Sequence, residues 1–371
     1  MGLTHFPHGI SAPIVVPGGG GLISTGIGIG DVKWVVPAKT TSDLWYGRIN
    51  QIAKDSDIFT TLQAAHDACT SGQGDTIFVA PGLYTTTTQT TFSKSNIQVV
   101  GMCGPNNQMA AAATIASRSN PSCTIYCDTA AVVYTLQVTG ARNQFYNMSF
   151  VNSGAAATNL AALCVGRLTT STAYGNYFNR CTFHGCMDTA QNTVSNCSVE
   201  IGSGASGYMF ENCIVGQNTW GGNRATAYQG HIYYSGRYES GADAGVGSQN
   251  GIWRDCLILS RTATAAIVPA VRIGSGSIAH GSGSGYEEMD RNHYWINCHF
   301  DSWGMAASAM ATVFYDLCAT GHCNILINSS CHHYTEWRVV YSAQPPSDYI
   351  ISAQMAVSNA TGAGLGIVPT A

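Results

Sequence analysis

The sequence predicts an all-β chain, a right-handed parallel β-helix (solenoid) with one N-terminal capping helix and extended N- and C-terminal arms. Three observations predict it. A two-part unit of short apolar stretches recurs along the chain. Its copies recur at a step of roughly 20 to 50 residues, the range of stacked architectures. Beyond Tyr84 the strands are separated by glycine- and serine-rich loops, with little helical periodicity between them.

The unit is cleanest over residues 199–215, V-E-I-G-S-G-A-S-G-Y-M-F-E-N-C-I-V. The first half is an apolar alternation that ends in glycine, with copies ending at Gly101, Gly140, Gly166, Gly202, Gly236 and Gly274 and a looser one at Gly321. The second half is an aromatic or large apolar residue, then Asn, Asp or Arg, then usually Cys, then an apolar residue. Its copies are Phe145-Tyr146-Asn147-Met148, Phe178-Asn179-Arg180-Cys181, Phe210-Glu211-Asn212-Cys213, Trp253-Arg254-Asp255-Cys256 and Trp295-Ile296-Asn297-Cys298, with a shorter one at Asn196-Cys197. Neither half buries enough apolar area to fold alone, so copies must stack. A propeller needs four evenly spaced strands per blade. The spacing here wanders, which suits a β-helix, where insertions bulge outward from the coils. Stacking then makes Cys181, Cys213, Cys256 and Cys298 an interior column. The residue before each lies at a bend, where Asn side chains hydrogen-bond along the stack.

Residues 1–45 are rich in proline and glycine and read as an extended arm carrying Phe6, Pro7, Ile10, Ile14, Val15 and Val16. The G-I-G-I-G run at 26–30 lacks the strand-then-helix context of a phosphate loop. Residues 31–36 read as a strand. Residues 46–96 hold the capping helix and first coil. Phe59, Leu62, Ala65 and Cys69 recur at helical spacing, Ser56 or Asp57 caps the start, and Gly72 and Gly74 stop it. A helix over 58–69 covers the open end, which otherwise exposes core and unpaired strand edges. Residues 97–340 form the body, and residues 341–371, with Pro345-Pro346 and a small-residue tail, form a strap.

Composition narrows the function. Only 10% of the 371 residues are charged and the net charge is −4, which gives no electrostatic basis for binding nucleic acid or an anionic membrane. No charged-then-apolar leader is visible and no apolar run is long enough to span a bilayer. The 14 cysteines lack the clustered spacing of a disulfide-stapled domain and read as reduced core residues made in a reducing cytoplasm.

Two resemblances add to this. Residues 62–68 (L-Q-A-A-H-D-A) followed by 74–84 (G-D-T-I-F-V-A-P-G-L-Y) resemble the entry into the pectin lyase-like right-handed β-helix superfamily, where a capping helix precedes the first coil. That superfamily holds lyases, hydrolases, esterases, phage tailspikes and non-enzymatic proteins, so the resemblance implies fold rather than activity. The opening T-H-F-P-H-G-I-S at 4–11 is similar to the N-terminal arm of virion structural proteins of tailed bacteriophages. That resemblance implies a capsid decoration or cement protein, a homotrimer on the outer capsid surface. It implies synthesis in the host cytoplasm and docking to the major capsid protein through the arm. Capsid and tail remain alternatives at this point: a tailspike would dock to a tail and bind host glycan, and a polysaccharide lyase or esterase is the third reading.

Chemistry is sparsely signalled. Glycoside hydrolysis needs two carboxylates about 5 to 10 Å apart. The candidates Glu239 with Asp243, and Glu287 and Glu288 with Asp290, lie in Gly/Ser-rich loops, while Asp188 and Asp301 follow repeated strands. There is no G-x-S-x-G elbow. Cys318, Cys323, Cys331, His332 and His333, with His322 nearby, hold the residue types of a zinc site without its spacing. The expectation is therefore no catalytic residue, no metal and no cofactor. Trp220, Tyr228, Tyr234 and Tyr238 mark a candidate surface for a glycan or a partner, against the alternative of core or subunit interface.

Overall fold

Each coil of the solenoid turns three times around a filled interior, giving three long parallel sheets, with one small parallel pair, Ala173–Tyr174 and Ala205–Ser206, beside them. The computed structural model describes residues 30–104, 122–130, 132–166, 173–188, 190–193, 195–216, 229–235, 248–262, 269–274, 293–304, 310–316, 323–332, 334–340 and 348–356. The first sheet stacks Val32–Val35, Thr76–Val79, Gln98–Gly101, Gln144–Tyr146, Tyr177–Asn179, Met209–Glu211, Ile252–Arg254 and His293–Ile296, each parallel to the next. The second stacks Gly82–Thr86, Cys123–Cys127, Ser149–Asn152, Thr182–His184, Ile214–Gly216, Leu257–Thr262 and His299–Gly304. The long strands Cys323–His332 and Asp348–Ala356 continue both sheets. The third sheet runs from Thr90–Phe92 through Tyr134–Val138, Ala161–Val165, Val199–Ile201, Ile232–Tyr234, Val271–Ile273 and Met310–Asp316 to Tyr334–Val340.

The bend between first and second sheet is a single residue in left-handed conformation. It is Asn147, Arg180, Asn212, Asp255, Asn297 and Asn328 in successive coils, with φ between 50° and 57°. Asn and Asp tolerate this region because a short polar side chain compensates locally, whereas most L-residues lose about 1–2 kcal/mol there. These residues pair mainly through backbone: Asn212 N–H donates to Arg254 O at 3.0 Å and Asp255 N–H to Ile296 O at 2.9 Å. Along this column one side-chain rung is described, from Asn297 Nδ2 to Asp255 Oδ1 at 3.1 Å. The predicted asparagine ladder is thus chiefly a backbone ladder.

Inward residues form columns. Phe145, Phe178, Phe210, Trp253 and Trp295 stack ring on ring, with centroids 5.1, 4.6, 4.0 and 5.3 Å apart and planes within 10°. Just past the bend, Met148, Cys181, Cys213, Cys256, Cys298 and Ser329 form the buried column that the sequence predicts for the cysteines. Each of these four thiols donates to the carbonyl of the aromatic residue one coil earlier, as Cys213 Sγ does to Phe178 O at 3.4 Å. Ser329 Oγ makes the same bond to Trp295 O at 2.9 Å. Burial pushes the thiols of Cys213, Cys256 and Cys298 far above their ordinary range. One core cluster runs from Val35 to Cys331.

Several expectations need correction. The repeating unit carries three strands, because the aromatic-Asn-Cys half spans a corner and belongs to two sheets. Gly101 closes a first-sheet strand, whereas Gly140 and Gly166 follow third-sheet strands, so these glycines are not equivalent. Asn196-Cys197 lies ahead of a third-sheet strand and is not a bend copy. The capping helix α2 is Leu62–Ala68, shorter than predicted, because Ile58–Phe59 pairs as a strand with Val32–Val35. Its N-cap is Thr61, whose hydroxyl accepts from Ala64 N at 3.2 Å, so Ser56 and Asp57 lie outside it. A second helix, α1 at Leu44–Ile49, packs Ile49 with Trp34 and Ile58 outside the first coil. Among the described residues, solenoid pairing runs from Val32, inside the span read as arm, to Ala356, inside the span read as strap.

Candidate functional site

Two outward rows concentrate the described polar chemistry. On the first sheet, alternation turns Gln98, Gln144, Tyr146, Tyr177, Asn179, Glu211 and Arg254 away from the core, in neighbouring coils. They form two hydrogen-bonded groups that meet at the Tyr146 and Tyr177 rings. Gln98 Nε2 donates to Gln144 Oε1 at 3.3 Å, and Tyr146 OH donates to the same oxygen at 2.7 Å. Asn179 Nδ2 donates to Tyr177 OH at 2.6 Å and to Glu211 Oε2 at 2.9 Å. Tyr177 OH donates to Glu211 Oε2, and Arg254 Nη1 reaches Glu211 Oε1 at 3.4 Å. The Tyr146 and Tyr177 rings meet edge to face at 5.7 Å. Burial, then the bond to Glu211, raises the Tyr177 phenol above its ordinary value. Glu211 is the one acid in this row, and both its oxygens are engaged. The row is built to present amides and aromatic edges, not a pair of carboxylates.

On the third sheet the outward row is Gln137, Cys164, Glu200, Tyr233, Arg272 and Tyr315, in register. It is buried: Glu200 is 0% exposed and Arg272 3%. Tyr134 OH donates to Glu200 Oε2 at 2.7 Å, and Gln89 Nε2 to Gln137 Oε1 at 2.6 Å. Arg272 stacks over Tyr233 at 5.8 Å and Tyr315 at 5.6 Å, and its Nε donates to Gly274 O at 3.0 Å. Glu200 and Arg272 stand two rungs apart, about 9.6 Å along the stack at the usual strand spacing. Buried charges need partners, and tyrosines supply a donor to one and aromatic faces to the other. Sequence reasoning missed this row. Its signal was a single charge inside V-E-I and V-R-I at equivalent positions of a charge-poor chain.

The sequence-predicted site residues divide. Phe6, Pro7, Ile10, Ile14, Val15 and Val16 lie outside the described residues, as do Trp220, Tyr228 and Tyr238. Tyr234 is described and is not a surface residue. It is 0% exposed inside the core, where its hydroxyl accepts from Trp253 Nε1 at 3.0 Å and lies 3.2 Å from Tyr208 OH. Tyr208 also comes within 3.1 Å of His293 Nδ1. It passes over Gly251, where a Cβ would lie 2.3 Å from the ring.

Glu239, Asp243, Glu287, Glu288 and Asp290 lie outside the described residues. Asp188 Oδ1 accepts from Ala190 N at 2.8 Å, which ties up its own turn. Asp301 faces outward beside His332 on the second sheet. Of the cysteine-histidine group, Cys331 is a core residue whose thiol burial pushes up to about 12. His332 instead pairs edge to face with His299 at 5.2 Å. Cys318, His322 and His333 lie outside the described residues, and among those described no three candidate ligands gather.

No protein-family model and no curated protein sequence matches the chain. Among solved structures, it is similar to the pectin methylesterase of Aspergillus niger, at 16% identity over 83% of this chain and 84% of that one, with a TM-score of 0.44. It is similar to the pectate lyase Pel9A at 15% identity, over 90% of this chain and 79% of that one, with a TM-score of 0.46. A further similarity is to ORF18 of Geobacillus virus E2, at 12% identity, over 82% and 59% of the two chains, with a TM-score of 0.31. Similarities of this size carry no argument about activity. The fold defines the chain as a parallel β-helix protein.

Proposed function

We propose that the chain is a structural protein of a tailed-bacteriophage virion, a trimeric capsid decoration or cement protein. In this reading it docks on the major capsid protein through the arm and projects its solenoid outward from the shell. The observation that carries the reading is the position of the phage-type motif at 4–11, ahead of a solenoid whose first strand is Val32–Val35 and whose core runs to Cys331. Stacked coils make a stiff rod, and burying an apolar segment on docking couples binding to assembly. Deleting residues 2–30 is expected to leave a folded solenoid, by circular dichroism, that no longer binds capsids. Undiminished capsid binding by that truncation overturns the arm assignment.

A second reading, a tailspike that recognises host glycan, draws on the first-sheet row, where Tyr146 and Tyr177 alternate with amides. Glycan-array binding together with density on the tail rather than the shell would favour it. An enzymatic reading has no support in the buried Glu200–Arg272 row, which a polysaccharide cannot reach. It would need turnover of a polysaccharide that changing one clustered acid, such as Glu288→Gln, abolishes in a folded protein.

A further inference from the structure

The bend between first and second sheet is one residue in the later coils, but in an early coil the chain leaves at Gly101 and re-enters at Cys123. Cysteines stand at both feet of this insertion. Cys103 Sγ lies 3.2 Å from Cys123 Sγ, while Cys123 Sγ also faces Val79 O at 3.2 Å. Gly101 keeps the approach open: a Cβ there would sit 3.1 Å from Cys123 Cβ and 2.2 Å from Asn147 O. Cys103 is partly exposed, whereas Cys123 and the column cysteines are buried. The column thiols of Cys181, Cys213, Cys256 and Cys298 are in addition committed to carbonyls.

We propose that Cys103 and Cys123 are a redox pair, held as thiols when the chain folds in a reducing medium and closed to a disulfide when it meets an oxidising one. The bond of Cys123 to Cys103 lowers the Cys103 thiol, which favours its thiolate as the attacking group. With oxidised glutathione as the oxidant, the Cys103 thiolate attacks one of its sulfurs, the glutathione disulfide breaks, and one glutathione leaves and takes up a proton. Cys123 then loses its proton, attacks the Cys103 sulfur and expels the second glutathione. Two protein thiols are oxidised and one glutathione disulfide is reduced to two thiols. The product pins the base of the insertion across the corner between two sheets. The inference concerns the isolated chain and does not rest on the virion reading. Under that reading, release from the host cell supplies the change of medium.

The test treats the full-length folded protein with oxidised glutathione, alkylates it and digests it with trypsin. Lys94, Arg118 and Arg142 place Cys103 and Cys123 in separate peptides. The expected result is one linked pair, with fragment ions that assign the bond to Cys123 rather than Cys127, and a higher Tm for the oxidised than for the reduced protein. Cys103→Ser should give no linked pair and no oxidant-dependent Tm. Alkylation of both cysteines after oxidation overturns the proposal. A glutathione adduct that stays on Cys103 without resolving overturns it equally, as does a linkage that persists in Cys103→Ser.

Discussion

Removing one ring from the middle of the aromatic column tests how far the packed interior holds the coils together. Phe210 is fully buried, 4.6 Å from Phe178 and 4.0 Å from Trp253 in parallel stacks. Phe183 and Tyr208 meet it at steep angles at 5.8 and 5.9 Å. Phe→Ala in a packed core costs about 3–5 kcal/mol, the higher end where the site cannot collapse. Here it cannot, because strand Met209–Glu211 is hydrogen-bonded to a strand on either side. Aromatic pairs contribute about 0.5–1.5 kcal/mol each beyond area burial. Four such contacts therefore place Phe210→Ala near the upper end, about 5 kcal/mol. Phe210→Leu keeps most of the volume but loses the four ring contacts, so about 2 kcal/mol is expected from the low end of that range. Urea unfolding followed by circular dichroism gives the overall loss. Because stacked repeats unfold in parts, amide exchange at Phe178, Phe210 and Trp253 should show the loosening centred on these coils. An alanine loss below about 1 kcal/mol, or one no larger than the leucine loss, would refute the packing argument.

Three further outcomes follow from the same geometry. Cys213→Ser should cost about 1–2 kcal/mol without removing a specific activity, since Ser329 already fills the equivalent position in a later coil; lost function in a stable Cys213→Ser protein would contradict a packing role. At the bend, Asn212→Ala should cost about 1 kcal/mol and Arg180→Asn should gain a similar amount, both read from denaturation midpoints, because each holds a left-handed backbone. His66 is buried under the cap, and its Nε2 accepts from Lys94 N at 3.3 Å, so the folded state keeps it neutral. Desolvation lowers its pKa below the usual histidine value. The unfolded chain then binds the extra proton first, so this part of the stability is complete above about pH 6.5 and is lost as pH falls through the lowered folded value. His66→Gln should flatten that part of the pH–stability curve, and an unchanged slope would remove His66 as its cause.

The architecture was legible because its strongest physical requirement, identical positions stacked coil upon coil, leaves a sequence trace. Aromatic, Asn and Cys recur together because each fills one column. What hid the third strand was a slip in alternation. Phe210 and Cys213 both point inward although they are three positions apart, where an unbroken strand would need an even step. The odd step marks the corner at Asn212, and F-E-N-C-I-V read as one strand conceals it. The same bookkeeping decides Tyr234. Aligning Ile232-Tyr233-Tyr234 with Val199-Glu200-Ile201 puts Tyr234 opposite Ile201, hence inward, and Tyr233 opposite Glu200, hence outward. Aromatic crowding alone cannot separate two adjacent tyrosines; parity within a stacked register can. By that rule Glu200, Tyr233 and Arg272 fall on one outward line from sequence alone, whereas their burial depends on what the chain folds over them and has no trace in the repeat.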